Sequence, residues 1–274
     1  MATLEKIYNV LAYELKVPKM YGLFHLLSLA FIVILTIILC KTAQNTSEKT
    51  ERKIAFGFWI ALFILESYKQ FIYHFNADEF ILDYGWQGFP FQLCSAPLYV
   101  LPVIAFLPSG KIREAFAAFY GTFVLLGGLA VCIYPGNVLV EKVGINIHTM
   151  FWHGSQVFLG VYFNLRRFAS NNASNLKKFF LSAIPIFLSF VTVAVILNDV
   201  FYNYLTARGC DDEFNLFFIS RHFVSSFPVF DIIQLHTPYP VFLLSYIVVL
   251  SASSFALILA EKAIIDSLKK HNKL

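Results

Sequence analysis

Seven stretches of this chain are apolar and long enough to cross a bilayer as helices: 21–40, 54–75, 90–108, 114–134, 147–164, 179–201 and 239–260. A hydrocarbon core about 30 Å thick needs about 20 apolar residues in helical form. No water is available there, so each crossing segment must satisfy its own backbone hydrogen bonds. Of the 274 residues, 58% are hydrophobic and 14% charged, against about 25% charged in soluble domains. Phe (31) and Tyr (14) are abundant, which suits lipid-facing surfaces and interfacial belts. The fold class expected is all-α, a polytopic membrane helical bundle of about seven transmembrane helices. A separate soluble domain, and nucleic acid as a partner, are excluded; membrane lipids are the expected partners.

Three regions follow along the chain. Residues 1–20 carry Leu4, Ile7, Leu11 and Leu15 at helical spacing among Glu5, Lys6, Glu14 and Lys16. They read as an amphipathic interfacial segment, or equally as a plain exposed helix, and they lack the pattern of a cleavable signal. Residues 21–260 form the seven-span domain, and 261–274 a basic tail. Lys and Arg divide unequally between the two sets of loops, fourteen on the side that holds the tail and six on the other. The positive-inside rule then places the N-terminus outside and the C-terminus in the cytoplasm, as a multi-pass protein of the cell membrane. Asn45 and Asn172 open glycosylation-type triplets, but in loops assigned to the cytoplasm, where they are chance matches.

That topology gives the ionisable residues a depth. Glu66, Lys69 and His74 of span 2, Gln92 and Cys94 of span 3, and His148 and His153 of span 5 all fall in the outer half, with His25 and Asn198 at the same level. A charge near the bilayer centre costs about 2.5–3.5 kcal/mol on insertion scales, so such residues are functional candidates by default. Glu66 and Lys69, three apart, share a helix face. They either brace spans 2 and 3 as an ion pair or floor a polar cavity where Lys69 meets a phosphate or carboxylate. Cys94 sits between Pro90 and Pro97 in the least regular span, which also contains Pro102 and Pro108. A free Cys is often a small buried hydrophobe, yet a nearby His or cation makes its thiolate a nucleophile. His148 and His153 lie about 140° apart on a helix, so both face one point only if His148 precedes the regular helix. No HxxxH or HExxH spacing occurs and span 7 has no His; no metal and no cofactor are expected. Residues 206–238, rich in Phe after Asp211, Asp212 and Glu213, read as a lid over the cavity or as a loop lying on the headgroups.

Phe89-Pro90-Phe91-Gln92-Leu93-Cys94, Trp152-His153-Gly154 and Asn198 near the end of span 6 resemble the YwaF-type family of integral membrane proteins over about residues 20–260. The resemblance implies a seven-span fold and kinship with vertebrate transmembrane proteins regarded as cysteine-dependent phospholipid acyltransferases, with lipid hydrolases further off. By position it implies Cys94 as nucleophile and His153 as its base. Thr237-Pro238-Tyr239-Pro240 stands where the family commonly has a Trp-rich stretch, which leaves the substrate open. The expected function is a lipid acyltransferase or lipid hydrolase using this Cys/His pair. Glu66, Lys69, His74, Gln92, His148 and Asn198 are the expected substrate-binding residues. The alternative is a transporter, or a lipid- or ion-binding carrier, using the same cavity.

Overall fold

The computed structural model describes residues 2–43, 46–76, 79–169 and 176–270. Asn45 and Asn172 lie outside those residues, as does the end of the tail. Among the described residues the chain is all-α apart from one hairpin, Phe75–Asn76 against Ile81–Leu82. In chain order the helices are α1 (Ala2–Leu11), α2 (Leu23–Ala43), α3 (Glu48–His74), α4 (Pro97–Phe106), α5 (Lys111–Phe119), α6 (Leu125–Ile133), α7 (Val143–Ala169), α8 (Leu176–Thr206), α9 (Phe230–His236) and α10 (Tyr239–Lys270). A π-helical segment, Tyr120–Val124, joins α5 to α6 without a break.

Among the described residues five helices are long and apolar enough to cross a membrane: α2, α3, the continuous Lys111–Ile133 unit, α8, and Tyr239–Ser267 of α10. Leu23 and Leu27 on α2, Ile196 and Val200 on α8, and Leu244 and Val248 on α10 point their side chains out of the bundle, a surface that suits hydrocarbon and not water. Two of the seven expected stretches take other forms. The stretch 90–108 is a 3₁₀ turn at Leu93–Ser95 followed by α4; at ten residues α4 reaches only about 15 Å. The stretch 147–164 lies within α7, whose 27 residues reach about 40 Å. Its composition is too polar to resemble a lipid-facing span because other helices surround it. Asn146, His148, Thr149, His153, Ser155, Gln156 and Asn164 are all buried, and α7 packs on α2, α3 and α6.

Aromatic stacking fills much of the bundle interior. Phe123 stacks on Phe187 with ring centres 4.1 Å apart, and Phe190 stacks on Phe91 and Phe119. Such pairs add about 0.5–1.5 kcal/mol each beyond the area they bury. Close approach of α6 to α7 depends on Gly128, where a Cβ would lie 2.5 Å from the Gln156 Cβ and 2.7 Å from the His153 carbonyl.

The N-terminal segment lies against the end of the bundle where α3 finishes. Tyr8 and Ala12 pack around Ile72 and Ile145, while Ile7 and Leu11 of the expected apolar stripe remain exposed. Beyond α1 the backbone is extended. Leu15 donates to the Glu141 carbonyl, Val143 to the Tyr13 carbonyl, and Lys142 Nζ meets Glu14 Oε1 at 2.6 Å.

At the opposite end of the bundle a charged network joins α3, α5 and α7. Glu51, only 2% exposed, takes Arg166 Nε at 2.6 Å, Arg167 Nη2 at 3.1 Å and Arg113 Nη2 at 3.3 Å. Arg167 also reaches Glu114, at 2.8 Å. Removing a partner from a buried ionic cluster leaves uncompensated charge, so this network holds three helices in register. Spacing arguments did not single it out, because each residue reads as an ordinary positive-loop or helix-end charge until the helices are assembled.

Candidate active site

A cavity of about 230 Å³ opens at the other end, between α3, the 3₁₀ turn and α7. It is lined by Glu66, Lys69, Tyr73, Cys94, Ser95, Val138, Val140, Ile145, His148, Thr149, Trp152 and His153. Five of the eight expected site residues therefore meet in one wall.

α3 brings its residues together by helical spacing, since 66, 69 and 73 recur on one face. Glu66 Oε1 receives Lys69 Nζ at 2.7 Å and Gln70 Nε2 at 2.6 Å. Its other oxygen, Oε2, lies 4.0 Å from His148 Nε2. Gln70 also donates to the Gly88 carbonyl at 2.7 Å, which fixes the loop beyond α3. Glu66 is buried, whereas the Lys69 side chain keeps 22% of its surface exposed. An ion pair this desolvated is geometrically constrained, and it leaves the ammonium with open donors toward the cavity.

Cys94 owes its position to the break in the third stretch. Pro97 opens α4, where a missing N–H is tolerated, and the 3₁₀ turn before it sets the Cys94 carbonyl toward α7. Trp152 Nε1 donates to that carbonyl at 2.8 Å and Gln156 Nε2 at 2.7 Å. Two donors on one carbonyl hold the residue from two turns of the same helix.

The two histidines are held differently. His153 Nδ1 donates to the Thr149 carbonyl at 2.8 Å, which assigns its proton to Nδ1 and leaves Nε2 as the basic nitrogen. His148 stacks on Trp152 with ring centres 5.1 Å apart. It is 5% exposed, and neither ring nitrogen has a hydrogen-bond partner. Both histidines lie inside α7, contrary to the expectation that His148 must precede the helix to share a focus with His153. The reason is the width of the wall. Ile145, Thr149 and Trp152 form its centre, and at about 100° per residue the two histidines flank that stripe and reach in from either side. Among the described residues no hydrogen bond joins the Cys94 thiol to a histidine, and no group of three His, Cys, Asp or Glu side chains forms a metal-type cluster.

The other expected residues are engaged elsewhere. Gln92 donates to the Asn215 carbonyl at 2.9 Å and accepts from Phe217 N–H at 2.6 Å. Asn198 donates to the Leu216 carbonyl at 3.1 Å and accepts from its N–H at 2.7 Å. Both carboxamides pin a loop where Phe217 and Phe218 have φ near +57° and +55°, a conformation costing about 1–3 kcal/mol per residue unless its surroundings hold it. His74 Nδ1 accepts from Gly85 N–H at 3.0 Å, and its ring packs on Tyr84. Outside the helices, burial and the Glu66 carboxylate push the Tyr84 phenol above its ordinary range. His25 accepts from Tyr21 N–H and donates to the Cys132 carbonyl at 2.8 Å, tying α2 to α6. Cys132 and Cys210 are both free thiols.

A second, larger groove of about 710 Å³ lies near the Glu51 network, lined by Glu48, Lys49, Arg52, Lys53, Phe56, Ala105 and Phe106. It contains no nucleophile and no base of the kind found around Cys94.

The sequence model of the TMEM164 family, a family of transmembrane proteins, matches residues 20–258. No curated protein and no solved structure matches the chain.

Proposed function

The chain belongs to the TMEM164 family and is a multi-pass membrane protein, and from that premise we propose that it is a cysteine-dependent lipid acyltransferase or lipid hydrolase. The observation that carries this reading is the shared wall of Cys94, His153 and Lys69 around one cavity. His153 Nε2 takes the thiol proton, and the thiolate attacks the carbonyl carbon of a phospholipid ester. The C–O bond breaks, the leaving alcohol recovers the proton from His153, and the acyl group remains on Cys94 as a thioester. An alcohol or water then takes the acyl group and restores the thiol. Such covalent relay divides one slow step into two easier ones. Lys69, steadied by Glu66, holds the lipid phosphate, and the doubly bonded Cys94 carbonyl keeps the sulfur from wandering.

The bundle sits in the cell membrane with seven crossings, the 3₁₀ turn and α4 serving as a broken third crossing. The N-terminus is outside and the cavity opens toward the outer leaflet; the charge bias of the loops supports this orientation. The kinship with YwaF-type proteins belongs to the same reading, carried by Phe89–Cys94 and Trp152–Gly154. A transporter is the second reading, favoured by the Pro-bounded helix break in the cavity wall, since broken helices line transport sites.

Purified protein incubated with a phospholipid of defined acyl chains tests the choice. Acyl release or exchange that disappears in Cys94→Ala is the expected result. Unchanged lipid turnover in that variant rejects the cysteine, and substrate flux across vesicles with no altered lipid favours the transporter.

A further inference from the structure

The cavity contains one histidine more than the attack on the donor ester requires. His153 is already committed through its Nδ1–H to the Thr149 carbonyl, and its single free nitrogen serves the thiol. His148 is different in every respect that matters. It is 95% removed from solvent by its 5% exposure, it lines the cavity, and both ring nitrogens are unpartnered. Whichever tautomer it adopts, one N–H and one lone pair remain unoccupied at a buried site, which is costly unless a ligand takes them. A hydroxyl group can donate to whichever ring nitrogen carries the lone pair.

His148 is also the cavity histidine with a carboxylate behind it. Glu66 Oε2 lies 4.0 Å from Nε2, while Oε1 is occupied by Lys69 and Gln70. A carboxylate on that side favours the tautomer with hydrogen on Nε2, leaves Nδ1 as the base, and stabilises the imidazolium once Nδ1 is protonated. The ring is held flat against Trp152, the residue that also anchors the Cys94 carbonyl. The same tryptophan therefore sets the spacing between His148 and the nucleophile's backbone.

We propose that His148, positioned by Glu66, forms the acceptor subsite: it binds and deprotonates the hydroxyl of a lysophospholipid that resolves the Cys94 thioester. This presupposes the acyl transfer proposed above. The acceptor O–H proton passes to His148 Nδ1 as the oxygen attacks the thioester carbon. The C–S bond breaks, the sulfur leaves as thiolate and then regains a proton from the imidazolium, and a diacyl phospholipid departs. Each histidine serves one half-reaction, and Lys69 receives the phosphate of donor and acceptor in turn. His148 is a catalytic residue in this scheme and Glu66 a positioning residue.

Wild type, His148→Ala, His148→Gln and His153→Ala are compared in nanodiscs with a donor phospholipid, with and without a lysophospholipid. The readouts are the acyl mass on Cys94 and the transfer product. Both His148 variants are expected still to form the Cys94 acyl-enzyme, while transfer falls about 10²–10⁴-fold, the range for losing a general base. Acyl-enzyme accumulates, and added imidazole restores transfer in His148→Ala. His153→Ala forms no acyl-enzyme. Glu66→Gln weakens donor binding through Lys69 in both half-reactions and, beyond that, shifts the pH profile of transfer. Failure of both His148 variants to acylate while wild type does, or wild-type transfer rates in them, overturns the acceptor role. Equal acyl release with and without lysophospholipid makes water the acceptor and overturns it too. Absence of any acyl-enzyme in wild type instead removes the cysteine chemistry on which the subsite depends.

Discussion

Asn198 and Gln92 each use one carboxamide as both donor and acceptor on the backbone of a single short loop. Asn198→Ala leaves the buried Leu216 N–H and carbonyl without partners and is expected to lower stability by about 1–3 kcal/mol. Chemical unfolding in detergent measures this, and an unchanged midpoint contradicts the clamp. Gly128→Ala places a methyl against Gln156 and the His153 carbonyl. The expected loss is about 1–3 kcal/mol from overpacking, with activity falling further because the shift moves α7 at the level of the site. At this scale the sequence was legible where chemistry is intrinsic to the side chain. A charged pair, a thiol and two histidines at one depth do come together. Amides were not legible, because Gln and Asn serve backbone as readily as substrate, and nothing in spacing tells which loop will return to meet them. His25 misleads for the same reason: its buried ring closes a gap between α2 and α6.

α3 has a buried carboxylate near each end, Glu51 and Glu66, about 22 Å apart at 1.5 Å per residue. Glu51 pairs with three arginines, two of which Glu114 also meets; Glu66 neutralises Lys69 and faces His148. Glu51→Ala is expected to cost about 3–5 kcal/mol, as when one partner of a buried ionic cluster is removed, with no direct effect on the distant cavity. A fluorescence-monitored melt checks it; near-neutral stability would mean that the arginines find other partners. The N-terminal strap offers a pH test. The hydrogen bond from Lys142 to Glu14 holds the Lys142 ammonium above the usual lysine range. A raised folded pKa adds stability that is complete below the unfolded value, about 10.4, and is lost as pH rises through the folded value. Protection of the Leu15 and Val143 amides should therefore persist from pH 7 to 9 and decline only in stronger base. Loss of that protection by pH 9 contradicts the clasp. The strap and the Glu51 network could not be seen in the sequence, because both depend on contacts between residues more than fifty positions apart. The third and fifth stretches were legible as apolar segments but not in their final form: prolines shorten the one, and burial frees the other to be polar.

The molecule as a whole separates a charged, arginine-held end from an end with a thiol, two histidines and a lysine around a cavity. Among the described residues five helices supply the apolar exterior, and α7, packed among its neighbours, carries more of the buried polar side chains than any other helix. With the proposed orientation, a tag at the N-terminus is protected from cytoplasmic reagents and a tag at the C-terminus is accessible to them; the reverse pattern would turn the cavity toward the cytoplasm. The architecture was legible because hydrocarbon permits few solutions to the backbone hydrogen-bond problem. Chemistry was less so, since a Cys/His pair in one cavity permits acyl transfer without requiring it. The decisive measurement is the intact mass of purified protein after incubation with a phospholipid of known acyl chains. The account predicts one added acyl group, released by hydroxylamine and mapped to Cys94, and absent from Cys94→Ala. An unmodified Cys94 in protein that still turns over lipid would contradict it.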